Sequence, residues 1–428
     1  MRKDPTWNPS LLGVSFIGLA FGFNRYTVPY LFFFPPPLES SILLNLVGGI
    51  EIVFLVTGLG ILCWRPVIRK PSGGEILLLG GSIFLSLSAA EITAQFWMRH
   101  YASTEQLEKY GAYDQFLSHK VALRPHHYLN YDLNPSHKDH NSLGFRGEEF
   151  PKEKEEGEFR IVTIGGSTTY SSRVSDNSHT YPAQIERLLK NQYRCQKIRV
   201  INAGVKGYTS FENLINLMFR VLDLNPDLVI VYQATNDVHA RLVDPAAYRG
   251  DNSGYRKQWS VPPQSIWDNL VLIRILRRKL GISYPFSIQN FVGASTRQTE
   301  LQLSQLLEEN PPIYFERNLK SMVALSHIHD FQLMLATWAH SPHLKDYAAN
   351  PDYQRGFQEH NTITQAIAKK YQLPFLNFAE LMPQESQYWH DGRHVNDKGA
   401  LFKARIFVKF IIEQKLVSPS NRCRYTDQ

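Results

Sequence analysis

Ser167 closes the run RIVTIGGSTT (residues 160–169), where an apolar stretch enters two glycines, a serine and two threonines. A serine hydroxyl attacks a carbonyl only when a neighbouring base takes its proton and a third group orients that base. The segment HDGRH (390–394) supplies both, because Asp391 and His394 stand three residues apart and one turn can present them on the same side. His394 would accept the Ser167 proton, and Asp391 would set the imidazole tautomer. An acyl-transfer reaction also needs hydrogen-bond donors aimed at the oxyanion that forms. The backbone N–H groups of Ser167 and Gly207 and the side-chain amide of Asn236 supply three, from NAGVKG (202–207) and QATND (233–237). Gly207 suits this role because, without a side chain, its N–H can lie close to a substrate.

Each of these signals has an ordinary structural reading. A serine in a Gly-Ser-Thr turn commonly caps a helix, Asn236 next to Asp237 is a cap candidate, and a single histidine is often a surface residue. A phosphate loop is disfavoured because no Gly-Lys-Ser/Thr follows the glycines. The clusters gain weight from where the elements must place them. Short apolar runs at 160–164, 198–201, 228–232, 332–337 and 375–378 alternate with amphipathic stretches at 182–192, 211–222, 316–330, 356–371 and 398–414. Strand alternating with helix predicts parallel strands joined by right-handed crossovers, a sheet covered on both faces. Chemistry in such sheets gathers at the carboxyl ends of strands, where Ser167, Gly207 and Asn236 all fall.

In their order and spacing, GGSTT with Ser167, NAGVKG with Gly207, TND with Asn236 and DGRH with Asp391 and His394 resemble the four sequence blocks of the SGNH (GDSL-like) hydrolases. The resemblance covers residues 160–414 and implies a flavodoxin-like three-layer α/β sandwich with strand order 2-1-3-4-5. It also implies a serine esterase or acyltransferase that uses no metal or other cofactor. Ser167 is then nucleophile and oxyanion donor, Gly207 and Asn236 are the other donors, and Asp391 with His394 completes a triad. The first block departs from the family's usual Gly-Asp-Ser, with Gly166 in place of the aspartate. That variant, with the preceding NSLGFRG (141–147), resembles a membrane-anchored subgroup.

The first hundred residues differ from the rest in composition. Residues 42–64 and 76–97 are long and apolar enough to cross a bilayer, and 11–34 is a third such stretch, interrupted by Asn24, Arg25 and Pro29. The connection holding Arg65, Arg69 and Lys70 is the basic one and is expected on the cytoplasmic side, which sends everything after Tyr101 outward. Arg25 and Glu51 are expected to pair or to sit near headgroups. The expected organisation is a transmembrane region (1–100), a membrane-proximal connector (101–158) and a catalytic domain (159–428) with an insertion at about 238–312.

Within that insertion, residues 266–282 combine Trp267, Leu270, Ile273 and Leu276 with Arg274, Arg277, Arg278 and Lys279. This pattern suits an interfacial helix or a lid, and equally a helix packed on the domain with a solvated basic edge. The charged run at 151–158 reads as a solvated loop. Outside the cytoplasm, Cys195 and Cys423 could form a disulfide. The histidines lack a companion set with metal-ligand spacing, and the net charge of +7 comes without a nucleic-acid recognition motif. These observations predict an integral protein of the cell or inner membrane, a serine esterase whose catalytic domain acts outside the cytoplasm on an acyl ester of a glycan or lipid. An O-acyltransferase acting on a cell-surface polysaccharide and a non-catalytic binding module are the alternatives.

Overall fold

A helix whose side chains are apolar all round has no face for water and must be buried in protein or lipid. Three such helices open the chain in the computed structural model, which describes residues 6–22, 41–112, 122–256, 266–283 and 301–417. They are α1 (Pro9–Gly22), α2 (Ser41–Trp64) and α3 (Gly73–His100). Two segments, Val47–Trp64 and Gly73–His100, are long and apolar enough to cross a membrane. The expected span at 11–34 is described only as far as Gly22, and Arg25 lies outside the described residues.

Close approach of α1 to α2 depends on two glycines. A Cβ on Gly13 would lie 2.9 Å from Gly58 O, and one on Gly58 would lie 2.9 Å from Gly13 O. This is the small-residue contact that lets apolar helices pack backbone to backbone. At the start of α3, Ser72 and Glu75 form a reciprocal capping box, and Arg69 Nη2 donates to Glu75 at 2.7 Å. A short helix, α4 (Thr104–Tyr110), follows.

The chain divides into two units, one of Met1–Phe116 with Val261–Ser287 and the other of Leu117–Ser260 with Ile288–Gln428. The second begins with an antiparallel hairpin, β1 (Leu123–His126) and β2 (Asn130–Leu133), which sequence patterning did not reveal. Its main element is a five-stranded parallel sheet of β3 (Phe159–Gly165), β4 (Ile198–Asn202), β5 (Leu228–Tyr232), β6 (Gln332–Ala336) and β7 (Phe375–Leu376). The spatial order β4-β3-β5-β6-β7 is the expected 2-1-3-4-5.

Successive side chains of a strand point to opposite faces. Ile161, Val200, Leu228 and Ile230 therefore enter one core, while Val162, Ile164, Ile201, Val229 and Val231 enter another. The crossover elements are α5 (Ser167–Tyr170), α6 (Tyr181–Tyr193), α7 (Ser210–Asn216) and α8 (Thr235–Arg241). Between α8 and the next helix of this unit the chain returns to the first unit, where it forms α9 (Val271–Lys279). The second unit then continues with α10 (Leu303–Glu309), α11 (Ile313–Ile328), α12 (Pro351–Lys370), α13 (Phe378–Leu381) and α14 (Asp397–Glu413).

Ile185 and Leu189 of α6 join Phe407 and Ile411 of α14 on the first core, and Leu319 and Met322 of α11 lie on the second. The expected helix at 211–222 is true α-helix only to Asn216. A π-turn over Leu217–Val221 and a 3-10 turn over Leu222–Leu224 complete it.

The charged run at 151–158 is not wholly a solvated loop. Its last residue, Glu158, is buried and accepts a hydrogen bond at 2.7 Å from Arg160 Nε. The fully buried Arg160 guanidinium also gathers the carbonyls of Pro151, Lys152 and Leu224. The loop curls around this cation because a buried guanidinium has five N–H donors to satisfy.

Candidate active site

β3 ends at Gly165 and the chain turns directly into α5, so Ser167 is the first residue of a helix rather than its cap. The N-cap position belongs to Gly166 and carries no side-chain hydrogen bond. Asn236 is likewise not a cap, because α8 is preceded by Ala234 without a capping side chain. Both polar groups are thereby left for other partners. Arg146, from the connector before β3, donates from Nη1 to the carbonyls of Tyr170 and Ser171 at 2.8 Å each and secures the end of α5.

The loop before α14 folds back on itself, with His390 N donating to His394 O at 2.8 Å. Asp391 accepts hydrogen bonds from the backbone N–H groups of Arg393 (2.9 Å) and His394 (2.8 Å). Both of its oxygens also lie 3.0 Å from His394 Nδ1. On the opposite side of the ring, His394 Nε2 is 2.8 Å from Ser167 Oγ. The three residues proposed from sequence are therefore joined in one hydrogen-bonded line, across 227 residues of chain between serine and histidine. Burial works against the charge of Asp391. The hydrogen bond and charge of His394, with the two backbone donors, outweigh burial and hold the carboxyl well below the usual carboxylate range.

A second histidine near the strand ends, His239, is not joined to this line. Its ring packs against Tyr347 and Tyr353, and burial, with Arg393 and Arg256 adding to it, pushes it down to about 3. His340, which follows β6, stacks on Trp338 with an interplanar angle of 12°.

The proposed oxyanion donors come from adjoining segments. Asn236 Nδ2 donates to Tyr208 O at 2.8 Å, which fixes the orientation of the amide and leaves its second N–H for another acceptor. A side chain on Gly166 would collide with Asn236 Nδ2 and lie 3.2 Å from Tyr208 O. The residue before Ser167, the residue after Gly207 and Asn236 are thus in mutual contact. Gly207 has φ +82°, a left-handed conformation that favours glycine. Among the described residues, the N–H groups of Ser167 and Gly207 have no hydrogen-bond acceptor.

Behind these donors lies a buried polar network that sequence reading missed. Arg256 Nη2 donates to Gly207 O at 2.5 Å, and Arg256 Nε pairs with Glu212 at 2.7 Å. Burial opposes charge on both groups, yet their attraction keeps Glu212 below and Arg256 above its ordinary value. Asp237 accepts from Ser210 N (2.9 Å), Ser210 Oγ (2.5 Å) and Gln233 Nε2 (2.7 Å). Burial pushes its carboxyl up to about 6 although these donors pull the other way. Asp237 was visible beside Asn236 in the TND triplet. Arg256 sits in the insertion, where no periodicity or motif singles it out.

Beside Asp391 an open groove of about 520 Å³ is lined by Ser172, Arg173, Ser175, His390, Asp397 and Lys398. Cys195 is buried and disulfide-bonded, and Cys423 lies outside the described residues.

The line from serine through histidine to a half-buried carboxylate, at the carboxyl ends of a parallel sheet, defines a class: serine hydrolases acting on ester bonds. The model of the GDSL-like lipase/acylhydrolase family matches residues 163–401, and the chain belongs to that family. No curated protein matches the chain. Similar solved structures include a lipase/acylhydrolase from Enterococcus faecalis, 17% identical, covering 63% of this chain and 100% of its own, with a TM-score of 0.38. A putative acylhydrolase from Bacteroides fragilis is 18% identical, covering 63% and 93%, with a TM-score of 0.37. A variant of the acetyl xylan esterase Axe2 from Geobacillus stearothermophilus is 17% identical, covering 59% and 94%, with a TM-score of 0.38.

Two predictions follow from the packing around Asn236. Gly166→Asp, which restores the family's commoner residue, should displace Asn236 and lower kcat on p-nitrophenyl acetate on the order of 10²-fold, as Asn236→Ala should. A kcat equal to that of the unaltered protein would show that the close contact is unimportant. The second concerns pH. A carboxyl whose folded value is raised stabilises the fold fully below its ordinary value of about 4 and loses that contribution as pH rises. For Asp237 the loss is complete above about 6. Thermal melts between those limits should show a shallower decline with pH for Asp237→Asn than for the unaltered protein.

Proposed function

We propose that this protein is a membrane-anchored esterase in which Ser167, His394 and Asp391 act as the catalytic triad. The observation that carries this reading is the continuous set of hydrogen bonds from Ser167 Oγ through His394 to Asp391. His394 Nε2 accepts the Ser167 proton as Oγ attacks the ester carbonyl carbon, and the developing oxyanion meets the N–H groups of Ser167, Gly207 and Asn236. Collapse of the tetrahedral intermediate expels the alcohol, which takes the proton back from His394, and leaves Ser167 acylated. Water, deprotonated by the same imidazole, then releases the acid. Asp391 stays ionised throughout and stabilises the imidazolium.

The charged and polar groups Arg173, His390, Asp397 and Lys398, which line the groove beside Asp391 together with Val174, support a hydrophilic alcohol portion, such as a glycan or a lipid headgroup. Membrane anchoring is supported by the two apolar helices, and the basic connection around Arg69 supports a cytoplasmic position for their linked ends. The catalytic unit then lies on the other side, where the disulfide at Cys195 suits an oxidising compartment. We assign the membrane region to residues 1–100, the connector to 101–158 and the catalytic domain to 159–428, with Cys423 as the partner of Cys195.

A fluorophosphonate probe should label the folded protein, and Ser167→Ala should abolish both labelling and p-nitrophenyl acetate turnover without changing the thermal midpoint. Retained labelling in Ser167→Ala would remove Ser167 from the nucleophile position. In spheroplasts, externally added protease should cleave the chain after Tyr101, and complete protection would invert the orientation.

A further inference from the structure

The amphipathic helix α9 is covalently part of the insertion in the catalytic domain, but its described contacts are with the apolar helix α3 and the short helix α4 that follows it. Glu91 of α3 accepts a hydrogen bond from Gln95 Nε2 at 2.9 Å within its own helix, and it accepts the first two N–H groups of α9, from Val271 at 2.6 Å and from Leu272 at 3.0 Å. An anionic group is well placed there, since the first N–H groups of a helix have no partner within it. Val271 packs with Met98, Ala102 and Leu107. Arg274 is not on a solvated basic edge: it is 3% exposed and donates to Tyr110 O and Asp268 O. Just beyond α9, Leu280 and Ile282 pack against Val47 of α2.

These contacts fall at matching depths. At about 1.5 Å per residue, Val47 lies about 26 Å from Trp64 along α2, and Glu91 lies about 27 Å from Gly73 along α3. Trp64 and Gly73 flank the short connection that joins the two helices. A hydrocarbon core is about 30 Å thick, so both contacts fall at its far boundary. The face of this segment that is turned away from α3 is apolar. Ile266 is 76% exposed, Trp267 54% and Leu276 55%, and Leu272 stands one turn before Leu276. Arg277, Arg278 and Lys279 occupy the last turn of α9: Arg277 Nη1 lies 3.6 Å from Asp268, Arg278 Nη1 donates to Lys109 O at 2.8 Å, and Lys279 is exposed.

We infer that residues 266–282 form a membrane-interface foot. Trp267, Leu272 and Leu276 enter the boundary between acyl chains and headgroups on the side where α3 ends, and the basic last turn lies among anionic headgroups. The occupant of this apolar face is lipid, because the face adjoins the helices proposed to span the bilayer and joins apolar side chains to a cationic end. Glu91 is thereby explained: it is the receptor for α9, and its charge is satisfied by two backbone donors of α9 and the Gln95 amide at the membrane boundary. The foot ties the insertion that interrupts the esterase domain to the bilayer surface.

This inference rests on the membrane anchoring proposed above, and the test separates the two. In a Cys63→Ser background, the full chain is reconstituted into vesicles of phosphatidylcholine and phosphatidylglycerol, with nitroxides at Leu85→Cys, Leu272→Cys or Leu276→Cys. Collision with oxygen should exceed collision with a water-soluble nickel chelate at all three positions. A lipid signal at position 85 with water accessibility at 272 and 276 would overturn the foot and leave the anchor standing, the apolar face then being free for a protein. Water accessibility at position 85 as well would overturn the anchor itself. Labelling of Ser167 by fluorophosphonate is independent of either result.

Discussion

Asp391 uses one carboxylate to satisfy two kinds of demand. It caps the N–H groups of Arg393 and His394, which gives the loop its shape, and it bonds His394 Nδ1, which sets the ring. A carboxylate held by several donors and a neighbouring imidazole resists protonation, so the orienting charge persists. The direction of His394 Nε2 towards Ser167, and with it the meaning of the other strand-end residues, follows from that anchorage. An unconstrained imidazole would rotate, and Ser167 would be only the first residue of a four-residue helix.

The sheet provides the other half of the alignment. Parallel register brings Gly165 opposite Tyr232 and Thr163 opposite Asn202, so β3 and β5 end at one level and β4 two residues earlier. Their loops then meet above the sheet: Gly166 against Asn236, Asn236 against Tyr208 O, and Gly207 O against Arg256. Close contact replaces side-chain volume here. The glycine at 166 appears in the sequence as a departure from the family's aspartate, and in the structure it is the space that Asn236 occupies. The buried pair of Glu212 and Arg256 adds a polar support whose cost of burial is offset by attraction and by hydrogen bonds.

The insertion serves two regions at once. Its early part carries Arg256 to the back of the Gly207 turn, whereas α9 joins the apolar helices through Glu91. Amphipathic patterning identified α9 as a helix suited to a surface but left open which surface. Arg274 shows why: its charge suggests solvent, while its position on the inward face gives its guanidinium buried carbonyls to bond.

Much of the fold was legible in the sequence because strand-and-helix alternation is a local signal. Periodicity two and periodicity near four are written in neighbouring residues, and they predicted all five strands of the sheet, whereas the order of those strands was implied by the resemblance to the SGNH hydrolases. Ser167, Asp391 and His394 could be named because a nucleophile, a base and an orienting carboxylate are demanded by the chemistry and come in recognisable blocks. The hairpin of β1 and β2, the burial of Glu158 with Arg160, and the support of Gly207 by Arg256 could not be named. Each is decided by which distant backbone carbonyls and donors come together once the chain is folded. Hydrophobic patterning and chemical residue types are properties of short segments, so the sequence by itself determined the layers and the candidate reacting groups. Hydrogen-bond satisfaction in a buried interior depends on residues far apart in the chain, so only the tertiary structure decided which polar groups hold the site in place.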